Sequence, residues 1–406
     1  MTASPPLKLE DAQRQLLELV TPLPAEQVEI LAALNRYVAR PLLARRTQPS
    51  ADLSAMDGYA VSAGDLQGPW QLIGESAAGH PYHGHITPGQ AIRISTGAAL
   101  PEDAFAVILQ EDITADAGLL SLSGDPPSPP RKHIRPRGMD FTTNTEIISA
   151  GNPLTPARIA LAIAAGHSHV PVHRAPRLTV IDSGDELATD LADCAAYCTP
   201  ASNGPMLLAM AHSLCAATQR IGPVPDNIDA IISALDTAND ADIIVTSGGA
   251  SVGDHDLIRP ALERWGARID FWRVAIKPGK PILVATRSQA GRQQIILGLP
   301  GNPVSSYVTA YHFLLPVLRA MQGALCASPL PLSARLSMPL PPSGRRREFL
   351  RGWWDGKTVN AAKLQDSGAL SSLASSNVLI DRPAMAPAAR TGDEVDIFLL
   401  QNGGIA

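Results

Sequence analysis

Apolar positions recur at helical spacing over residues 8–20, which predicts a helix there. A second helix is expected over residues 25–39, just behind Pro24, and Pro41 with the polar stretch 45–52 ends it. From 58 to 125 the period shortens. Runs such as 59–61, 70–73, 91–95 and 105–109 are separated by Gly, Pro and His, a pattern of strands and turns. Residues 124–138 are Pro-rich and form the exit loop of this β region. Helical pattern returns at 152–166: Thr155 can cap, Pro156 suits the first turn, and Gly166 suits a left-handed end. The β region is therefore expected as an insertion between helical segments that pack together.

Between 176 and 325 two periods alternate. Short β-type runs at 178–181, 242–245, 272–275, 282–285 and 294–297 are interleaved with helical stretches at 203–217, 227–237, 257–265 and 304–321. Buried strands alternating with helices predict a parallel sheet covered on both faces, with ligands at the carboxyl ends of its strands. Residues 327–406 return to short strands and predict a second small β domain. The expected division is 1–45 with 142–175, 46–141, 176–326 and 327–406.

Composition narrows the class. The 406 residues are 45% hydrophobic and only 17% charged, a globular balance. A net charge of −5 gives no field to hold a polyanion, so nucleic acid is not an expected partner. The run Arg345–Arg347 is too short to change that. No signal peptide and no apolar run of membrane-spanning length is visible, so the expectation is a soluble cytoplasmic protein with no membrane partner. Four cysteines (Cys194, Cys198, Cys215, Cys326) lack zinc-finger spacing and read as free thiols.

Candidate chemistry gathers in three glycine-rich loops: Thr246–Asp256, Ile276–Pro281 and Leu299–Pro303. Each follows or interrupts a strand-type run. Gly248, Gly249 and Gly253 let backbone approach a ligand closely, yet the spacing is neither a Walker loop nor a dinucleotide fingerprint. Lys277 and Lys280 flank a proline-fixed turn and suit a phosphate or oxyanion; two solvated lysines are the alternative. Pro300-Gly301-Asn302-Pro303 opens a helix, whose first N–H groups favour an anion; a plain capped turn is the alternative. Acidic loops at Asp182–Glu186 and Asp254–Asp256 together fit Mg²⁺, although turn and cap use of Asp is common. His80, His83 and His85 read as a surface loop.

Six motifs then occur in one order: Ser54–Val61, Arg93–Ala98, Ser183–Leu187, Thr246–Asp256, Lys277–Pro281 and Leu299–Ser305. On these the chain resembles MoeA-type molybdopterin molybdenumtransferases and is similar to the E domain of gephyrin, over nearly its full length. The resemblance implies an α/β multidomain fold. Its parts are a three-layer molybdopterin-binding α/β domain, an inserted β domain, a helical linker domain and a C-terminal β-barrel. It implies a homodimer whose cleft is shared between subunits, a molybdopterin adenylyltransferase upstream, and molybdoenzyme cofactor-delivery proteins as further partners. The implied reaction takes adenylylated molybdopterin and molybdate to molybdenum cofactor and AMP, with Mg²⁺.

Position by position, the resemblance implies catalytic roles for Asp57, Thr96, Glu186, Asp226, Asp256 and Lys277. Glu186 and Asp256 are the implied metal positions. Substrate contacts are implied for Ser247, Gly248, Gly249, Ser251, Gly253, Lys280, Pro300, Gly301, Asn302 and Pro303, and for Asp140, Arg351 and Ser367. The chain departs from the family pattern at Ala250, Arg273 and the loop Pro101–Phe105.

Overall fold

A computed structural model describes residues 6–188, 196–248, 257–279, 281–289 and 291–400. The first helix is Leu9–Glu18, and its buried Leu9, Ala12 and Leu16 spread over two turns of one face. That face packs against the long helix near residues 315–321, within the core of the α/β domain. The second expected helix is absent. Ala25–Glu29 is a strand, followed by a 3-10 turn at Ile30–Ala33. The strand pairs antiparallel with His169–His173, whose Val170 and Val172 are buried. Long-range pairing overrides weak helix propensity here.

Ile30, Ala33, Val38 and Leu42 share one core with Ile148, Leu154, Ile159, Ala162, Val170 and Val172. The chain between these two groups is an insertion, as expected. Helix Pro156–Ala164 starts where the sequence placed it: the Thr155 side chain accepts from the Arg158 N–H, and Gly166 takes a φ of 95°. The insertion holds a six-stranded sheet with the order Ala104–Leu109, Gly58–Ser62, Gln90–Ile94, Trp70–Ser76, Leu119–Leu122, Ile113–Asp116. Gly58 is demanded by close strand approach, since a Cβ there would lie 2.0 Å from the Ile108 carbonyl oxygen.

The α/β domain has a six-stranded sheet with the order Ala217–Val224, Arg177–Ser183, Ile243–Ser247, Arg292–Leu299, Pro281–Gln289, Arg268–Arg273. Its first four strands are parallel and the last two antiparallel, so the expected all-parallel sheet is corrected to a mixed one. Chain length decides this. A parallel crossover takes a dozen residues or more, and strands Pro281–Gln289 and Arg292–Leu299 are joined by two. Alternate strand residues point into two cores. Leu178, Val180, Ile243, Val245 and Leu297 pack with Leu207 and Val317, whereas Ile181, Ile244, Leu283 and Ile296 pack with Leu235 and Leu262. Helices thus cover both faces.

The last long helix is continuous but carries a π turn: Pro303–Thr309, Ala310–Leu314, Leu315–Met321. Beyond it, Leu332–Leu336, Arg347–Trp354, Thr358–Ala361, Val378–Arg382 and Glu394–Leu399 close into a five-stranded barrel. The two-residue strand Ile276–Lys277, from the α/β domain, adds to the barrel in parallel beside Arg347–Trp354. That graft draws the two domains together over one cleft. No helix among the described residues is long and apolar enough to cross a membrane.

Candidate active site

A cleft of about 1000 Å³ lies at the carboxyl ends of Arg177–Ser183, Ile243–Ser247 and Arg292–Leu299. Its floor is buried and polar: Asp182, Ser183 and Ser247 are each about 98% or more shielded. Arg220 Nε lies 2.8 Å from Asp182 Oδ2. Burial pushes the Asp182 carboxyl above its ordinary range, and Arg220 with the Gly204 N–H pulls it back only in part.

Asn203 joins three loops. Its Nδ2 donates to Ser247 Oγ at 2.9 Å and to the Gly301 carbonyl at 2.7 Å. Gly248 sits at a φ of 101°, and a Cβ there would fall 2.2 Å from the Ser183 carbonyl oxygen. Only glycine fits, which is why the loop after Ser247 can fold down onto its neighbour.

Across the cleft stands the N-terminus of the long helix. Asn302 is its cap residue, and its side chain turns outward to donate to Ser367 Oγ at 3.1 Å. The Ser367 carbonyl accepts the Val304 N–H at 3.0 Å. Ser367 is thereby tied to the helix opening from the barrel side. Arg351 reaches the same cleft and is 1% exposed. Its guanidinium donates to the carbonyls of Leu364 and Asp366, at 3.3 and 2.9 Å. Gln365 holds the Arg351 backbone from both sides. The Arg351 Nε has no hydrogen-bond partner, and the guanidinium makes no ion pair among the described residues, although the Asp366 carboxylate attracts it. Burial draws its pKa down from the ordinary guanidinium value. Lys277 differs: it is 54% exposed at the side chain, with Nζ 3.2 Å from Glu348 Oε1.

Three stretches of the chain match family models. Residues 7–166 match "MoeA N-terminal region (domain I and II)", 179–320 match "Probable molybdopterin binding domain", and 333–400 match "MoeA C-terminal region (domain IV)". The chain is 34% identical to the molybdopterin molybdenumtransferase of Haemophilus influenzae, covering 92% of this chain and 94% of that one. The chain belongs to the molybdopterin molybdenumtransferase family. The Nostoc relative of that name is 31% identical over 98% of this chain and 94% of its own. The fold is similar to that of the molybdopterin biosynthesis moeA protein from Pyrococcus horikoshii, with a TM-score of 0.83, 26% identity, and 97% and 100% of the two chains covered.

Of the positions that the sequence motifs singled out, ten line this cleft: Glu186, Ser247, Gly248, Lys277, Pro300, Gly301, Asn302, Pro303, Arg351 and Ser367. Asp226 stands one step away: its N–H donates to Asp185 Oδ1 at 3.1 Å, and its own carboxylate accepts the Asp185 N–H at 3.4 Å. Asp57, Thr96 and Asp140 do not line it. Asp57 Oδ1 accepts the Thr96 N–H at 2.7 Å and the Thr96 hydroxyl at 3.1 Å, on the exposed edge of the inserted domain. These bonds, the backbone one first, hold the Asp57 carboxyl below its ordinary range. Asp140 donates its own N–H to the Gln48 carbonyl in another loop of that domain. Gly249, Ser251, Gly253, Asp256 and Lys280 lie outside the described residues.

Sequence reasoning missed Asn203, Glu348, Gln365 and Asp366. The contacts of Asn203 span 44 and 98 residues, that of Glu348 spans 71, and those of Gln365 and Asp366 with Arg351 span 14 and 15, so no helix or turn spacing signals them.

Mg²⁺ was tested against the donors present. No group of three metal-capable side chains occurs among the described residues. Mg²⁺ needs only one or two carboxylates when phosphates and water supply the rest. The Glu186 carboxylate on the cleft wall, with the Asp185–Asp226 pair beside it, fits that demand.

Proposed function

We propose that this chain transfers molybdenum from molybdate to the dithiolene of adenylylated molybdopterin, releasing molybdenum cofactor and AMP. One observation carries the reading: Arg351 is a cation buried in the cleft, held by backbone carbonyls rather than by an ion pair among the described residues. A charge so placed is costly unless an anion answers it. A tetrahedral oxyanion does so from the cleft side, with Lys277 and the helix opening at Pro303 as its other partners. A helix N-terminus adds about 0.3–1 kcal/mol at exposed sites.

The chain's own residues then divide the work. Asn203 holds the three strand-end loops in one surface, so that backbone groups at Gly248 and Gly301 meet the phosphates of the substrate. Arg351 and Lys277 hold the oxyanion and stabilise charge that grows as the phosphoanhydride opens. Glu186, with Asp226 next to it, holds Mg²⁺. Held by these carboxylates, Mg²⁺ would supply positive charge against the phosphates of the linkage. Asp57 and Thr96 close the cleft from a second copy of the chain in a homodimer. The substrate arrives from a molybdopterin adenylyltransferase, the product passes to molybdoenzyme cofactor-delivery proteins, and the setting is the cytoplasm.

The test is AMP release from adenylylated molybdopterin by the full chain, with and without molybdate. Release that depends on molybdate supports the reading. Release indifferent to molybdate, or consumption of ATP with unadenylylated pterin, contradicts it.

A further inference from the structure

Two cations of the cleft, Lys277 and Arg351, are answered differently, and the difference points to Glu348. Strand Ile276–Lys277 lies beside the barrel strand in register, Ile276 against Arg347 and Lys277 against Glu348. Glu348 Oε1 faces Lys277 Nζ at 3.2 Å and accepts the Gly344 N–H at 3.4 Å. Arg346 donates to the Ile276 carbonyl at 3.2 Å, fixing the same junction. Glu348 is mostly shielded, with a side chain 16% exposed, whereas Lys277 is 54% exposed. Lys277, Glu348 and Arg346 line the cleft.

A lysine ammonium is a point charge on a flexible stem and has no set place until something holds it. Glu348 does that in the empty cleft. The same carboxylate repels any oxyanion that approaches Lys277. Position and charge therefore oppose each other in one residue, and substitutions can separate them. Glutamine keeps an oxygen acceptor for both donors and removes the charge; alanine removes both.

We propose that Glu348 is a positioning residue for Lys277 that sets the oxyanion affinity of the cleft, holding the ammonium when the cleft is empty and yielding it to a tetrahedral dianion. This rests on the anion-binding reading of the cleft given above. Oxyanion entry exchanges one partner of Lys277 for another, so affinity is held below what Lys277 and Arg351 alone would give.

The experiment titrates the full chain calorimetrically with molybdate, and with sulfate for comparison, in wild type, Glu348→Gln, Glu348→Ala, Lys277→Ala and the Lys277→Ala/Glu348→Gln double variant. Glu348→Gln is expected to bind molybdate about three- to tenfold tighter, with the gain shrinking as salt rises. KM for molybdate falls by a similar factor, and kcat changes less. Glu348→Ala gains no affinity and loses kcat. In the Lys277→Ala background the glutamine gain drops below about twofold, as expected for coupled neighbours. Unchanged or weaker binding by Glu348→Gln overturns the proposal, as does a gain that survives without Lys277. Absence of molybdate binding in wild type overturns it too. Tighter binding in Glu348→Gln without AMP release in any variant leaves the inference standing and removes the transferase reading. Molybdate-dependent AMP release without that tightening removes only the inference.

Discussion

The strand-end cleft and the Asp57–Thr96 turn carry charge in opposite ways. In the cleft a guanidinium is buried without an ion pair among the described residues, and the floor holds two buried polar atoms lacking partners, Asp182 Oδ1 and Ser183 Oγ. At the turn a carboxylate is fully exposed and already satisfied by one N–H and one hydroxyl. The first arrangement is incomplete without a ligand. The second is complete as a local structure, and Asp57 and Thr96 do not line the cleft among the described residues. A deficit of partners marks where a ligand binds, whereas a satisfied exposed group acts only when another surface is brought to it.

Substitutions test that contrast. Arg351→Met removes the buried cation and is expected to lower molybdate-dependent AMP release by about 10²–10³-fold. Its melting temperature should change little, because a desolvated unpaired charge contributes little to stability. A large loss of stability with activity retained would make Arg351 a structural residue. Lys277→Ala comes next, with about a tenfold rise in KM for molybdate and a stability change within about 0.5 kcal/mol, since its ion pair is exposed. Steady-state kinetics and thermal melts read both. Asp57→Asn should leave the fold intact and lower AMP release by about tenfold through misplaced substrate.

The smallest effect concerns pH. The folded Asp57 carboxyl is depressed, so its contribution is present above the unfolded carboxylate value and is lost as pH falls through the lower folded value. The backbone N–H of Thr96 is the leading cause. Thr96→Ala should therefore move the Asp57 titration, followed by NMR, only slightly upward. A shift all the way to the free carboxylate value would assign the effect to the hydroxyl instead.

Much of this was legible from spacing. Thr155, Pro156 and Gly166 marked their helix correctly, because caps and turns are local chemistry. The cleft-lining turns at 277–279 and 300–303 were legible because glycine and proline at short spacing mark turns. Strand Ala217–Val224 was not found: it is a sheet edge, and only Val224 in it is buried, so it shows no apolar run. Ala25–Glu29 was misread because its exposed residues follow their distant partner at His169–His173. The mixed sheet was readable from the short link at Gly291, which leaves no room for a crossover helix. Glu348 and Asn203 could not be placed, since each acts across a junction between segments far apart in the chain.

The most direct test of the whole account is co-expression of Asp57→Asn and Lys277→Ala chains, with molybdate-dependent AMP release as the readout. If one subunit supplies Lys277 and its partner supplies Asp57, mixed dimers hold one intact cleft. At molybdate well below KM, where each variant alone keeps about a tenth of wild-type activity, random pairing then raises it to about 30%. Activity no higher than that of the separate variants would contradict a cleft completed by a second copy.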